Sequence, residues 1–416
     1  MVQADTPPRY LPLLLAALSA TGPLGIDMYL PSLPAMAAEL GTGEGAIQLS
    51  LMSFFTGLML GQLGYGPLSD RFGRRPLVAV GLAVFVAGSI GCALATDVSA
   101  LLWLRALQGL GGSIGMVIAF AIIKDCYRGP ALGRMMAMVL AVLGLCPVLA
   151  PLAGNALEHL ASWRASFWAM AAWGAVLALL VLILLPETRS PADRAAFRLR
   201  RTPQAYIAIL RDRRFTPAVL TLCVGQAAFF AYLAGSSTVF IRHYGLGPTA
   251  FSLLFALNAI GLVAAAMVTP RLHAWLGLAG TFRAVTAGGV VVMAALLAAM
   301  WVDAGQLVAL CTGLFLAVAL LGVLMPTGSQ LALQHQRQQA GTASALMGSL
   351  QFGAGAAISA LAGALAHLGA PGLVGIMAGC AVVAMLMCWW LLPRQADVLR
   401  RQPGAETASP GGQPGR

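Results

Sequence analysis

Two ionisable side chains sit where so apolar a chain has least use for them. Asp27 lies in Gly25-Ile26-Asp27-Met28-Tyr29-Leu30-Pro31-Ser32-Leu33-Pro34, and Arg105 lies in Leu102-Trp103-Leu104-Arg105-Ala106-Leu107-Gln108. A charge at the centre of a membrane-crossing helix costs about 2.5–3.5 kcal/mol on insertion scales, so each calls for a reason. A carboxyl facing a cavity within hydrocarbon keeps a proton more readily than one in water, which suits it to loading and unloading protons. Pro31 and Pro34 should bend or loosen the helix beyond Asp27 and let the acid meet water on one side. The competing reading is an interfacial carboxyl near the outer end of its span, satisfied by a hydroxyl neighbour. Gln108, three residues after Arg105, shares its helix face.

The elements that must position these residues are membrane spans. The chain has 416 residues, 59% hydrophobic and 9% charged, with a mean hydropathy of +0.84, which places it among polytopic membrane proteins. A span takes about 20 residues, so there is room for roughly twelve with short loops. The apolar runs place them near 10–37, 47–69, 76–95, 100–123, 133–157 and 165–186, then 214–236, 250–270, 280–301, 306–326, 340–365 and 370–392. The first run is read as a span rather than a cleaved signal, because a single arginine precedes it and it continues past the cleavage-like Ala-Leu-Ser-Ala. The predicted organisation is an amino-terminal six-helix bundle over 1–186, an arginine-rich central loop over 187–213, and a carboxy-terminal six-helix bundle over 214–392. A polar tail over 393–416 is expected to be disordered.

Charge tests this topology. With the amino terminus cytoplasmic, Arg164 and Arg242 are the basic residues of the outer loops and Arg105 lies within a span. The rest of the 25 lysines and arginines fall inside, which predicts an even span count and both termini in the cytoplasm. The net charge of +11 is spread over loops rather than gathered in a patch, which argues against nucleic acid as a partner. The seven cysteines fall in or beside apolar runs without paired spacing and read as small core residues, not a disulfide or metal framework. No His/Asp/Ser or metal-ligating cluster gathers within the spans, so an enzyme is not expected. No Walker-type loop is present either, and Gly109-x-Gly111-Gly112 is span packing. An ion gradient, with no cofactor, is the expected energy source.

Residues 64–76, Gly-Tyr-Gly-Pro-Leu-Ser-Asp-Arg-Phe-Gly-Arg-Arg-Pro, fill the turn between spans 2 and 3. Gly66 would let a neighbouring backbone come close, and Pro76 can start the next helix without wasting a donor. The pattern Gly66-x-Leu68-x-Asp70-Arg71-x-Gly73-Arg74-Arg75 resembles the loop between helices 2 and 3 of major facilitator superfamily transporters. An ordinary positive-inside turn would explain the arginines but not Asp70 or the glycine spacing. The equivalent stretch of the second half, 270–283, lacks any acid, which suggests a gate carried mainly by the first half. Asp70 could then accept hydrogen bonds from the start of helix 11 near Gly341 and Thr342 and close the cytoplasmic side.

Leu102-x-x-Arg105-x-x-Gln108-Gly109-x-Gly111-Gly112 resembles the fourth-helix motif of proton-coupled members of that superfamily. There the arginine either couples to the proton site or hydrogen-bonds backbone across helices. In span 5, Pro147 and Pro151 each remove a helical hydrogen bond and should kink the helix, with Gly144 and Gly154 allowing close packing. This looks like the antiporter motif of the exporter branch, with Pro147 and Pro151 where other members have Gly-Pro. Together with Asp27-Met28-Tyr29-Leu30-Pro31, Trp163-Arg164-x-x-Phe167-Trp168, Phe255-Ala256-Leu257-Asn258-Ala259 and Ala340-Gly341-Thr342-Ala343-Ser344-Ala345, these stretches resemble the Bcr/CflA group of drug exporters over about residues 10–392.

The resemblance implies twelve helices in two pseudo-symmetric six-helix bundles, and proton-driven export of drug-like molecules across a bacterial inner membrane by alternating access, most simply as a monomer. Asp27 and Arg105 would serve proton coupling. Helices 1, 4, 7 and 10 line the cavity in this superfamily, which makes Tyr29, Gln108, Phe229, Phe230 and Tyr232 substrate-binding candidates. Asn258 and Gln351 are further polar groups within spans 8 and 11. Export of a native metabolite such as an amino acid or sugar is the rival reading, and a non-transporting membrane sensor on the same scaffold a more distant one.

Overall fold

The computed structural model describes residues 8–300, 306–336 and 339–391. The polar tail expected to be disordered, 393–416, lies outside the described residues, as does Arg337 of the inner charge set. Among the described residues every regular element is helical. The amino-terminal half comprises α1 (Leu11–Asp27), α2 (Leu33–Glu39), α3 (Glu44–Phe72), α4 (Arg74–Leu94), α5 (Val98–Cys126), α6 (Gly129–Leu160) and α7 (Trp163–Leu184). A connector follows with α8 (Pro191–Ala196) and α9 (Thr202–Leu210). The carboxy-terminal half comprises α10 (Phe215–Ser237), α11 (Pro248–Ala299), α12 (Gln306–Leu333), α13 (Ala340–Ala364) and α14 (Gly369–Leu391).

Eleven of these stretches are long and apolar enough to cross a membrane, and one of them, α11, is 52 residues long. It is two spans joined at Gly277, whose φ of 68° breaks the helical path without a polar loop. Counted so, the described residues hold twelve spans, six on each side of the connector. The first span is interrupted where its prolines predict. Pro31 has no N–H to offer the Asp27 carbonyl, α1 stops at Asp27, and a 3₁₀ turn over Leu30–Ser32 leads into α2. Ser32 Oγ, within that turn, donates to Glu158 of α6 at 2.7 Å. The connector is not simply a loop: α9 is a helix that docks on the spans, because Tyr206 and Ile209 bury themselves against the core of the second half.

The two halves meet tightly at one end and part at the other. At the far end, which carries the α1–α2 break and the α10–α11 turn, a Cβ on Gly45 of α3 would overlap the Gly363 carbonyl of α13. Gln48 Nε2 there donates to Thr238 Oγ1 at 3.1 Å, and Glu44 pairs with Arg242 at 3.4 Å. On the opposite flank Asn155 Nδ2 donates to Thr249 Oγ1 at 3.0 Å, and Ser252 reaches the Pro151 carbonyl. Gln48 and Asn155 are both buried, so closure at this end is held by polar bonds withdrawn from solvent. At the basic end, which carries Gly73, Tyr127 and the connector, the positions a Cβ would take on Gly66 and Gly341 face open space. The close backbone approach expected at Gly66 is therefore not made. Gln62 still packs against Gly348, but α3 and α13 have diverged one turn later. The seven cysteines are free, five of them buried, as small core residues would be.

Candidate functional site

Asp27 is 4% exposed, and among the described residues its carboxyl has no hydrogen-bond or ion-pair partner. It closes α1 at the interface of the two halves, within electrostatic range of Cys146 on α6 and Tyr232 on α10. Among the described residues no hydroxyl bonds to the carboxyl, and it lies inside the protein rather than on its surface. Next to it, the Met28 carbonyl lies so close to Gly154 that a Cβ there would overlap it. The glycine of the α6 motif is thus the surface on which the α1 break rests. Gly154→Val should force α6 away from α1, and overpacking of this kind costs about 1–3 kcal/mol. The expected outcome is a lower midpoint of thermal unfolding in the purified protein, with Gly133→Val, whose Cβ position is open, as the neutral control.

Two further residues of that motif, Gly144 and Pro151, lie against the second half. Gly144 approaches Val263 of α11, and the Pro151 carbonyl lies 3.4 Å from Ser252 Oγ, which donates to the nearer Pro248 carbonyl of its own helix at 2.9 Å. The α6 helix is therefore wedged between α1 and α11.

Arg105 is fully buried and does not pair with Asp27. Its Nη2 donates to the Gly25 carbonyl, in the last turn of α1, at 2.9 Å, and its Nη1 to Gln108 Oε1 at 2.5 Å. A cation at a helix carboxyl end also meets the negative pole of the macrodipole. The guanidinium carbon lies 4.2 Å from the ring centroids of both Tyr29 and Phe54, and 5.7 Å from that of Phe167. Gln108 passes the connection on, donating to Ser89 Oγ of α4 at 2.8 Å. Tyr29 shares its hydroxyl with Ser50 of α3 at 3.0 Å. Tyr29, Arg105 and Gln108 therefore form one knot inside the amino-terminal half, anchoring the backbone two residues before Asp27.

The remaining binding candidates gather on the other side of the interface. Asn258 Nδ2 donates to Tyr232 Oη at 2.8 Å, and the Tyr232 ring stacks on Phe255 with centroids 5.5 Å apart. Phe229 lies 6.2 Å from both Tyr232 and Phe230, and Phe230 packs on Phe55 of α3 at 4.7 Å. Gln351 is half-buried on α13. Asp27 lies within electrostatic range of Tyr232, the member of this aromatic cluster that is paired with Asn258.

Residues 15–360 match the profile of the Major Facilitator Superfamily. The chain belongs to the major facilitator superfamily. It is 32% identical over 355 residues to an uncharacterized MFS-type transporter, YdgK, of Bacillus subtilis, covering 85% of this chain and 88% of that protein. It is 27% identical to the bicyclomycin resistance protein homolog of Haemophilus influenzae over 92% of this chain and 96% of the relative. It is 28% identical to the multidrug resistance protein MdtL of Escherichia coli over 89% and 93% respectively. The xylose transporter XylE from E. coli shares the fold, with a TM-score of 0.70, 16% identity, and coverage of 94% of this chain and 99% of that one. The chain is a multi-pass membrane transporter rather than an enzyme.

The superfamily's helix 2–3 loop is here a ring of charges within the amino-terminal half. Gly73, at φ 102°, lets α4 start directly after α3. The Glu187 carboxylate receives the backbone N–H groups of Arg74 (3.0 Å) and Arg75 (3.3 Å) and so caps α4. A Cβ on Gly73 would collide with that carboxylate, a second reason for glycine there. Arg74, 6% exposed, binds Asp70 at 2.9 Å and Asp125 of α5 at 3.1 Å. Arg189 adds a second bond to Asp70 at 3.1 Å, while Arg71 donates to the Arg194 carbonyl and Arg75 to the Leu182 carbonyl. Asp70 is thus committed to arginines of its own half and connector, and Thr342 is not its partner in this conformation.

Sequence reading missed Phe54, Phe167 and Ser89 around Arg105, and Glu187 and Asp125 around Arg74. Phe54 and Ser89 carry no motif. Glu187 and Asp125 were legible as acids at span ends facing an arginine-rich turn, and their count there was the available signal.

Proposed function

We propose that this transporter exports drug-like small molecules from the cytoplasm across a bacterial inner membrane in exchange for protons, as a monomer and without a cofactor. The observation that carries the reading is Asp27: a buried carboxyl with no partner among the described residues, at a helix break, on the seam between the two halves. Such a group has no structural reason to exist and a chemical one, since it can be emptied and refilled as the seam opens to either side. The resistance names of two relatives support a drug as cargo.

With the basic end in the cytoplasm, as the positive-inside rule supports, the conformation described is inward-open and externally shut. Substrate enters from the basic end and meets the Tyr232, Asn258, Phe229, Phe230 and Gln351 face, whose aromatic surface suits adaptable apolar ligands. Its arrival is coupled to loss of the Asp27 proton inward; the halves rock, the external end opens, substrate leaves and Asp27 is reprotonated. Arg105 holds the α1 break in register throughout. Each charge moved contributes about 2.3 kcal/mol per 100 mV. In the outward-open state Asp70 exchanges an arginine for the start of α13 near Gly341 and Thr342.

That exchange makes opposite predictions for two cysteine pairs in a chain whose native cysteines have been replaced. Gln48→Cys with Thr238→Cys should crosslink only when the external end is shut, and Asp70→Cys with Thr342→Cys only when it is open. An added substrate or pH gradient should therefore move the two yields in opposite directions, and parallel changes would refute the exchange.

Function is tested by a susceptibility panel in a host stripped of its own drug pumps, against phenicols, sulfonamides, bicyclomycin and lipophilic cations. Protection against at least one class is expected. Protection against none, with the protein present in the membrane, would remove drugs as cargo.

A further inference from the structure

The helix α9 carries a bond that no motif announces. Within α3, Pro67 has no N–H, so the Leu63 carbonyl, four residues earlier, lacks its helical donor. A carbonyl left bare beside hydrocarbon is costly, and such a group is re-satisfied by whatever packs against it. Here Tyr206 Oη of α9 donates to the Leu63 carbonyl at 2.9 Å. Burial, with a contribution from the Asp70 charge, pushes the Tyr206 phenol up to about 12, so the hydroxyl remains a donor at any working pH.

The rest of α9 belongs to the other half. Ile209 is buried and Tyr206 packs against a cluster formed by Phe215, Leu222, Phe282, Ala343 and Leu346. The start of the connector, by contrast, rides on the amino-terminal half through the Arg189–Asp70 pair and the Arg71 bond to the Arg194 carbonyl. A helix seated on the second half thus grips α3 of the first, about two turns before Asp70 on the same helix. For the starts of α13 and the end of α3 to close on each other, the open space at Gly66 and Gly341 must vanish, and α3 must slide against α9.

We propose that Tyr206 is a positioning residue of the transport cycle: its bond to the carbonyl orphaned by Pro67 holds α3 against the carboxy-terminal half while the basic end is open, and breaks when that end closes. The proposal rests on the alternating-access reading above. Because the bond belongs to one state only, losing it should shift the equilibrium and not merely loosen the fold.

The test is a double-mutant cycle on the full chain in lipid nanodiscs, with native cysteines replaced and spin labels on Arg134→Cys and Gln330→Cys, on opposite halves at the basic end. Tyr206→Phe keeps the ring and removes one hydrogen bond, and should lower the ratio of open to closed populations roughly fivefold. Pro67→Ala returns an N–H to the Leu63 carbonyl from within α3, so in that background Tyr206→Phe should leave the ratio unchanged. An equal shift in both backgrounds, or no shift beside Pro67, overturns the proposal. A single distance population in every variant overturns it too, and with it the alternating-access reading. Two populations with no coupling would leave that reading standing.

Discussion

Asp27→Asn is expected to abolish drug protection while leaving the protein folded and in the membrane. Asparagine has nearly the shape of the carboxyl but cannot release and regain a proton. Among the described residues the Asp27 carboxyl makes no hydrogen bond or ion pair, so the substitution breaks no contact. It also removes a group that is costly to ionise where it lies, so thermal stability should be unchanged or raised. Asp27→Glu keeps the chemistry but adds a methylene beside the Met28–Gly154 contact, and intermediate protection is expected. The measurement is inhibitory concentration, matched for membrane expression, with the thermal midpoint of each purified variant beside it. Full protection by Asp27→Asn would assign the acid a structural part only.

Arg105 should behave in the opposite way, losing stability before anything else. Arg105→Ala empties a large, fully buried site and strands the Gly25 carbonyl and Gln108 Oε1, which both lose their donor. Truncating a buried, hydrogen-bonded charge is expected to cost about 3–5 kcal/mol, enough to lower membrane levels and the thermal midpoint together. Arg105→Lys is the sharper variant. It retains the charge and most of the apolar stem, but one ammonium cannot reach both acceptors and lie flat between Tyr29 and Phe54. Protection should fall to background with a smaller loss of stability than Arg105→Ala. If Arg105→Lys protects as well as the parent, charge alone suffices and the two-acceptor anchor of α1 is not needed.

The architecture was legible because its cause is written in single residue types. Long apolar runs had to become spans, Pro31 had to end α1 at Asp27, and Asp70 among arginines had to be a charged turn. Features that depend on two distant residues, or on backbone atoms, were not legible. The partner of Arg105 is a carbonyl, and every residue has one. Gln48 and Thr238 are 190 positions apart and neither belongs to a motif. The turn between spans 8 and 9 is a single glycine conformation at Gly277, not a polar segment. In the connector, a nine-residue helix was hidden by flanking arginines, although Tyr206 and Ile209, three apart, gave it an apolar edge. The contact expected of Gly66 is not made: a glycine permits a close approach without requiring one.

The central claim, that proton movement drives export through Asp27, is tested most directly in proteoliposomes. The purified transporter would be reconstituted with an imposed pH gradient and no nucleotide, and uptake of a drug identified by the susceptibility panel would be followed. The account predicts drug accumulation in vesicles with an acidic lumen, collapse of that accumulation by a protonophore, and none with Asp27→Asn. Accumulation that is indifferent to the pH gradient, or that survives Asp27→Asn, would contradict it.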